Sequence, residues 1–320
     1  MDSIENLTVL VTGASGFVGK VLCQKLLDCG VNLSVLTRRT LELGPHVLQH
    51  VFKGLEAIEP QPQWFDGVDI VVHLAARVHQ MQADPEDEAA LQMVANCDAT
   101  VRLASMAAKC GVKQFIYLSS IKVNGEHTDG REPFSELDIP APKNAYGLAK
   151  WKAEQGLNIL ANNSDVAITI IRPPLVYGPD VKANFKALLK LSAKGLPLPL
   201  ASINNKRSIV SVDNLSALLI HCCSNKKAFN QTFLVADCQP VSTPKLVRLM
   251  ALSQGKSVCL LPVPIFILKA VAWLLNRRAV VERLVQSLEL NCVKVEQLVG
   301  WLPPAATDVE FKRYAAKWAS

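Results

Sequence analysis

Thr8-Val9-Leu10-Val11-Thr12-Gly13-Ala14-Ser15-Gly16-Phe17-Val18-Gly19 is the stretch that decides how this chain folds. A short β-branched run leads into three glycines, and helical spacing then continues to Cys29, with Gly30 behind it. The run predicts a buried strand, and the segment after it a helix with a glycine stop. Gly13 permits a tight turn out of the strand, Gly16 lets the backbone approach a pyrophosphate, and Gly19 lets the helix pack close to the sheet. The helix start offers free N–H groups and the positive end of a dipole to phosphate. The spacing G-x-x-G-x-x-G lacks the Lys-Ser/Thr of a nucleoside triphosphate loop, which argues against a kinase or an ATPase. A dinucleotide is the expected ligand.

Working outward, Val31 to Thr37, Asp69 to Leu74, Gln114 to Leu118 and Ala167 to Arg172 read as further strands. Asp87 to Cys110 and Ala145 to Ala161 read as helices, the second capped by Asn144. This alternation predicts an α/β, Rossmann-type doubly wound parallel sheet. After Pro173-Pro174 prolines become frequent, and strands are expected only at Ile209–Val212 and Thr232–Val235, with a helix from Asp213 between them. The expected organisation is an NAD(P)-binding domain over residues 1–172 and a smaller, mainly helical substrate lobe over 173–320. Elements near 207–223 are expected to return to the first lobe.

Composition narrows the class. Half of the 320 residues are hydrophobic, so the chain is globular. Lys and Arg (34) exceed Asp and Glu (28) without any long basic run, which suits a polyanionic small molecule and not a nucleic acid. Nine cysteines without a CxxC pair predict buried free thiols in a reducing compartment, and neither a disulfide framework nor a metal site. The N-terminus opens acidic and runs straight into a strand, so no signal peptide and a cytoplasmic location are expected. Leu260 to Leu275 is the most apolar stretch. Pro262, Pro264 and Lys269 interrupt it, and it is shorter than the ~20 residues of a bilayer span. It is expected to be a core or substrate-lobe helix, with contact to a membrane surface as the alternative. His73, Trp273 and Trp301 are expected in the core.

The end of the second strand reads Leu36-Thr37-Arg38-Arg39. A carboxylate there would bind a free ribose 2′-hydroxyl, whereas two guanidinium groups suit a 2′-phosphate. NADP(H) is therefore favoured, with NAD(H) as the alternative. Further along, Tyr146-Gly147-Leu148-Ala149-Lys150 puts a phenol and an amine four residues apart on one helix face. An adjacent ammonium and an oxidised nicotinamide would lower the phenol pKa. The pair follows, by about 25 residues, a strand ending Leu118-Ser119-Ser120, where a serine can hydrogen-bond a reacting oxygen. Serine, tyrosine and lysine downstream of a dinucleotide turn form a coherent hydride-transfer site.

With these residues in place the chain resembles an extended short-chain dehydrogenase/reductase of the NAD-dependent nucleotide-sugar epimerase/dehydratase group. The segments that carry the likeness are VLVTGASGFVG, VDIVVHLAA, FIYLSSIKVNG, YGLAK, IRPPLVYGP and RSIVSVDNL, extending to about residue 215. The resemblance implies that Ser120 and Tyr146 are catalytic and that Lys150 binds the nicotinamide ribose. It implies cofactor contacts at Gly13, Gly16, Phe17, Val18, Gly19, Leu74, Ala75, Ala76, Asn96 and Pro173. Ser120, Lys122, Asn184 and Arg207 are implied to face a UDP-sugar, Arg207 at its diphosphate. Leu175 departs from the asparagine that many epimerases carry before their "VYG" segment. The family often pairs into a homodimer through two long helices, here Asp87–Cys110 and Ala145–Ala161.

The same resemblance bears on the reaction. In the dehydratases of this group a carboxylate pair follows the catalytic Ser/Thr; Ile121 and Lys122 stand there and cannot eliminate water. The wider string is most similar to reductases of UDP-4-keto-6-deoxy-N-acetylhexosamines in surface polysaccharide and O-antigen synthesis. Reduction at C4 is thus the leading expectation. A UDP-glucose or UDP-N-acetylglucosamine 4-epimerase is the alternative, and a non-catalytic dinucleotide-binding regulator the alternative of another class. Arg77 to Met81 and Lys122-Val123-Asn124 are the expected sugar-facing loops.

Overall fold

The computed structural model describes residues 4–77, 85–181 and 183–318; within these, nothing is said of the side chains of residues 85, 183 and 184. In chain order the first half comprises β1 (Thr8–Thr12), α1 (Phe17–Asp28), β2 (Asn32–Thr37), β3 (Leu48–Val51), β4 (Ile70–His73), α2 (Pro85–Met93), α3 (Ala99–Lys109), β5 (Gln114–Leu118), α4 (Ala145–Asn162) and β6 (Ala167–Arg172). Val94–Asp98, between α2 and α3, form one wider, π-helical turn. The second half comprises β7 (Leu175–Tyr177), α5 (Ala183–Ser192), β8 (Ile209–Ser211), α6 (Val212–Cys223), β9 (Gln231–Leu234), α7 (Thr243–Ser253), α8 (Ile265–Leu274), α9 (Arg278–Val285), α10 (Val293–Val299) and α11 (Thr307–Trp318).

Seven strands form one parallel sheet in the order β3-β2-β1-β4-β5-β6-β9. The chain runs outward from β1 through β2 to β3, then returns to the other side of β1 with β4. That reversal opens a crevice at the carboxyl ends of β1 and β4, where α/β sheets of this kind bind ligands. Alternation along each buried strand feeds two core layers. Val9 and Val11 pack with Leu22, Leu26, Leu215 and Leu219 of α1 and α6. Leu10 packs on the opposite face with Leu103 and Ala107 of α3 and Ala153 and Leu157 of α4. On that face α3 and α4 lie side by side because Gly156 has no side chain: a Cβ there would lie 2.5 Å from Val101 Cγ2.

After β6 the chain builds a second body and also returns to the sheet. α6 packs on α1, and β9 becomes the edge strand beyond β6. β7 and β8 form a separate parallel pair. An aromatic cluster of Tyr177, Phe185, Phe311, Tyr314 and Trp318 holds α5, α7 and α11 around that pair. At its base Asp237 accepts from Tyr177 Oη (2.7 Å), Asn214 Nδ2 (2.8 Å), the Ser211 amide (3.1 Å) and Thr307 Oγ1 (3.2 Å). Burial nonetheless pushes the Asp237 carboxyl pKa up.

Several expectations need correction. Trp301 is buried, but Trp273 is 58% exposed, and α8 presents most of its apolar side chains to solvent. The stretch Leu260–Leu275 is therefore not a core helix. β3 and β7 are additional strands; β3 is a short edge strand with a mixed sequence and little burial. All nine cysteines are unpaired, but only Cys23, Cys97, Cys222 and Cys223 are buried, whereas Cys29, Cys238 and Cys259 are exposed. No helix among the described residues is long and apolar enough to cross a membrane.

Candidate active site

The glycine turn sits at the carboxyl end of β1, in the crevice. Gly13 has φ +74°, and a Cβ on it would lie 2.7 Å from the Ala75 amide nitrogen, so the turn lies flat against the loop that leaves β4. The Gly16 amide donates to the Gly13 carbonyl at 2.9 Å. A Cβ on Gly19 would lie 2.2 Å from that same carbonyl oxygen. Gly19 therefore seats α1 against the turn itself and not, as its spacing suggests, against the sheet. Gly16 is the residue before α1, and no side chain caps the helix start or places a carboxylate in its first turn. Backbone N–H groups and the helix dipole are thus left for an anion, and a side chain at Gly13 or Gly19 would collide with the Ala75 backbone or the Gly13 carbonyl and break the turn that presents them. These features fit a dinucleotide pyrophosphate. Phe17 and Val18 lie in the first turn of α1 but direct their side chains into the packing, Phe17 against Gly178 and the aromatic cluster, so only their backbone faces the turn.

Leu74, Ala75 and Ala76 form the half-buried loop beyond β4, opposite the turn. Asn96 fixes this loop from the π-helical turn: its Oδ1 accepts from the Arg77 amide (2.8 Å) and its Nδ2 donates to the Arg77 carbonyl (3.0 Å). The Asn96 side chain is fully buried, so it reaches the crevice between β1 and β4 only through this loop. Arg77 itself pairs with Glu56 and Glu88 at 3.0 and 3.1 Å. The rest of that loop, Val78 to Met81, lies outside the described residues. Beneath it, His73 is wholly buried and its pKa falls to about 3, first through burial and then through Lys150. Thr100 Oγ1 donates to the Asn96 carbonyl, so His73 Nε2–H donates to Thr100 Oγ1 (3.0 Å) and His73 Nδ1 accepts from Thr12 Oγ1 (2.7 Å). His73 is a satisfied core residue, as expected. Arg38 and Arg39 are exposed just beyond β2.

Ser120 and Tyr146 come from different elements that meet. Ser120 caps a short 3-10 turn, Ile121–Val123, its Oγ accepting from the Lys122 amide at 3.2 Å. The Ile121 amide donates to the Pro173 carbonyl at 2.9 Å, which ties this turn to the exit of β6; the Pro173 side chain is buried. Asn144 caps α4 as expected, its Oδ1 accepting from the Gly147 amide at 2.8 Å. Tyr146 and Lys150 lie on one face, with Lys150 Nζ 5.8 Å from the Tyr146 ring centroid and 4.5 Å from that of Tyr117. Lys150 Nζ donates to the Leu118 carbonyl at 2.8 Å.

Burial sets the acid–base character of the pair. It pushes the Tyr146 phenol up to about 12 and the Lys150 amine down to about 7. Lys150 alone does not acidify the phenol, because the burial that raises the tyrosine also destabilises the ammonium that was to lower it. The expectation of an acidified phenol therefore needs a second positive charge in the crevice.

The layer under Ser120 was not legible in the sequence. Ser119 Oγ donates to Glu154, and Glu154 receives Arg172 Nε at 3.0 Å and Nη2 at 2.5 Å. Arg172 Nη1 donates to Asn124 Oδ1 at 2.9 Å. This buried cluster holds the end of β5, α4 and the end of β6 in one frame. Ser119 is thereby committed to structure, leaving Ser120 as the half-exposed hydroxyl.

On the far side of Ser120, Lys122 pairs with Glu126, which also accepts from Asn144 Nδ2. The Lys122 amine falls to about 8, through burial and then through the charges of Arg207 and Arg283. Arg207 Nη1 donates to the carbonyls of Arg283 (2.7 Å) and Gln286 (3.1 Å). Lys122 and Arg207, picked from sequence, are thus neighbours, and Arg283 joins them. Asn184 lies in the first turn of α5, and its side chain is outside the description. Leu175 is partly exposed on β7.

Comparison with known proteins agrees with this architecture. The chain is 40% identical, over 96% of its length and 94% of the relative's, to a UDP-glucose 4-epimerase of Vibrio cholerae. It is 28% identical to the N-acetyl-alpha-D-glucosaminyl-diphospho-ditrans,octacis-undecaprenol 4-epimerase of Escherichia coli O157:H7, covering 79% of this chain and 74% of that one. The solved structure of a UDP-glucuronic acid 4-epimerase from Bacillus cereus in complex with NAD superposes with a TM-score of 0.77 at 19% identity, covering 98% of this chain and all of that one (100%). It shows the same fold. Residues 9–236, which hold the glycine turn, Ser120, Tyr146 and Lys150, match the NAD dependent epimerase/dehydratase family, and the chain belongs to that family.

Proposed function

We propose that this protein interconverts the C4 configuration of a hexose or N-acetylhexosamine carried on UDP, acting as a UDP-glucose or UDP-N-acetylglucosamine 4-epimerase. The observation that carries the proposal is the 40% identity, along nearly the whole chain, to the Vibrio cholerae UDP-glucose 4-epimerase. It moves the balance away from the 4-keto reduction that the sequence motifs suggested.

In this reading Gly13, Gly16 and Gly19 hold the pyrophosphate of a resident NAD, and Lys150 the nicotinamide ribose. A nicotinamide held there would supply a reversible hydride acceptor for the C4 carbinol, and its positive charge would favour the Tyr146 phenolate. Tyr146 Oη removes the proton of the sugar 4-hydroxyl and later restores it. Ser120 Oγ holds the same oxygen by a hydrogen bond as it passes between alcohol and ketone. Lys122, Arg207 and Arg283 supply the positive charge for the diphosphate. Epimerisation needs no net oxidant, so nothing has to exchange between turnovers.

A second reading, a 4-ketoreductase that releases its cofactor, draws on Arg38 and Arg39, which are exposed at the end of β2 where a 2′-phosphate would be met. One assay separates the two. Purified protein is offered UDP-glucose and UDP-N-acetylglucosamine with nothing added, and separately UDP-4-keto-6-deoxy-N-acetylglucosamine with NADPH. A galacto-configured product in the first arm is the expected result. No product there, with stoichiometric NADPH loss in the second arm, would replace the epimerase by the reductase.

A further inference from the structure

α8 is apolar on both sides. On its inner side Ala272 is buried, and Leu268 packs with Leu284 and Val285 against Leu198, Leu200, Ile203 and Val247. That face is accounted for. Its outer side carries Phe266, Ile267, Val271, Trp273 and Leu274, with Leu275 just beyond. Phe266 is 72% exposed and Leu274 73% exposed. A surface helix of a water-soluble body normally turns polar residues outward, and a helix apolar all round is normally enclosed by protein or lipid. Ten residues with this pattern cannot span a bilayer, but they can lie in its interface.

The charges around the face select the kind of surface. Residues 255–286 carry five basic side chains (Lys256, Lys269, Arg277, Arg278 and Arg283) and one acidic, Glu282. All six of these side chains are exposed. The Arg278 guanidinium stands over the Trp273 ring, 5.5 Å from its centroid. Lys269, Trp273, Arg278 and Glu282 help line a shallow pocket of about 270 Å³ beside the apolar side of the helix. Apolar anchors, an interfacial tryptophan and a basic rim are the combination that binds anionic headgroups: the ring and aliphatic groups enter the acyl boundary while the cations stay with the phosphates.

We propose that the α8–α9 hairpin docks this enzyme on the surface of an anionic phospholipid bilayer, with the outer side of α8 in the interface and Lys269, Arg277 and Arg278 against the headgroups. The inference stands on the hairpin alone and does not depend on the reaction proposed above. It has a geometric consequence for the site. Arg207 donates to the carbonyls of Arg283, in α9, and Gln286, just after it, so the docking element is fastened to Arg207, the residue proposed above for the diphosphate.

The test is co-sedimentation of the full chain with vesicles of phosphatidylglycerol and phosphatidylcholine, and with vesicles of phosphatidylcholine alone. The expected result is recovery with the anionic vesicles, weakened by salt, and a blue shift of the Trp273 emission, obtained by subtracting the spectrum of W273F. The double variant F266E/W273E is expected to lower the partition coefficient by about tenfold or more, and R277E/R278E to lower it by a similar factor. Both variants should keep the wild-type turnover in solution, since these side chains lie outside the pocket of Ser120, Tyr146 and Lys150. Recovery with neither vesicle, or binding that both variants leave unchanged, overturns the proposal. Equal recovery with both vesicle types overturns the anionic assignment. A dimer in analytical ultracentrifugation that F266E/W273E dissolves, with no vesicle binding, assigns the face to a second copy of the chain instead.

Discussion

Gly147 lies directly against the backbone of Lys122: a Cβ on it would stand 2.7 Å from the Lys122 carbonyl oxygen and 3.2 Å from the carbonyl carbon. The residue between Tyr146 and Leu148 is therefore what lets the first turn of α4 touch the turn that carries Ser120. Backbone cannot yield as a flexible side chain does, so Gly147→Ala must push the two elements apart. The expected outcome is a fall in kcat of about a hundredfold, because a displacement near 1 Å between catalytic groups costs about that much. Thermal stability should drop only modestly, and the dissociation constant for NAD should stay near the wild-type value. Steady-state kinetics beside cofactor titration check this. Wild-type kcat in the variant would show that the contact does not set the Ser120–Tyr146 spacing.

Tyr146→Phe removes the only phenolic hydroxyl in the proposed proton path and leaves the ring. General acid–base groups contribute about 10²–10⁴-fold, so turnover should fall by that much or more while NAD binds nearly as before. Because burial holds the phenol near 12 in the cofactor-free protein, its titration should move down when oxidised cofactor binds. The ultraviolet difference spectrum of wild type minus Tyr146→Phe, recorded against pH with and without NAD⁺, reads this directly. A titration that bound NAD⁺ does not shift would remove the electrostatic part of the argument.

What the sequence discloses and what it withholds follow from distance along the chain. The turn Gly13–Gly19, the cap Asn144 and the pair Tyr146/Lys150 are local patterns, and each is in place in the fold. The frame of Ser119, Asn124, Glu154 and Arg172 was invisible because its hydrogen bonds link residues 35, 18 and 48 positions apart. A buried glutamate in a helix reads like any surface glutamate until its partner arrives from another strand. α8 failed for a related reason: an apolar run has the same letters whether protein covers it or not, and only the fold shows that Phe266 and Trp273 face outward. The reductase expectation rested on similarity of short motifs, whereas the relative that is 40% identical over 96% of the chain is a UDP-glucose 4-epimerase.

Arg38 and Arg39 give a prediction about cofactor choice. Charge-assisted hydrogen bonds to a phosphate contribute about 1.5–3 kcal/mol each, so losing both guanidinium groups should weaken NADP⁺ by about a hundredfold or more. NAD⁺, which has no 2′-phosphate, should bind the Arg38→Ala/Arg39→Ala protein almost as it binds wild type. Isothermal titration with both cofactors decides it. Equal losses for the two would mean that the arginines do not read the ribose.

Lys150 predicts how stability depends on pH. Burial lowers its amine to about 7, below the ordinary lysine value that the unfolded chain retains. Between these two values the unfolded state binds a proton that the folded state does not, so this group makes the fold more stable as pH rises from about 7 towards about 10. Lys150→Met keeps the bulk and removes the titration. In cofactor-free protein the Tm of wild type relative to Lys150→Met should therefore increase between pH 7 and about 9.5. Parallel Tm curves over that range would mean that the amine keeps its ordinary proton affinity inside the fold.

Glu154 and Arg172 supply the last prediction, because both are buried and each is the other's main partner. Removing one partner of a buried pair strands the other charge, which costs about 3–5 kcal/mol, whereas replacing both by apolar groups of similar size costs much less. Glu154→Met and Arg172→Met should each destabilise by roughly that amount, and the double variant should be more stable than either single one. The double variant also frees Ser119 Oγ and Asn124 Oδ1 from their partners beneath Ser120. Its kcat should therefore remain low even where its stability has recovered. Denaturant unfolding and kinetics on the same three proteins separate the two effects. If kcat returns together with stability in the double variant, the cluster supports the fold without positioning Ser120.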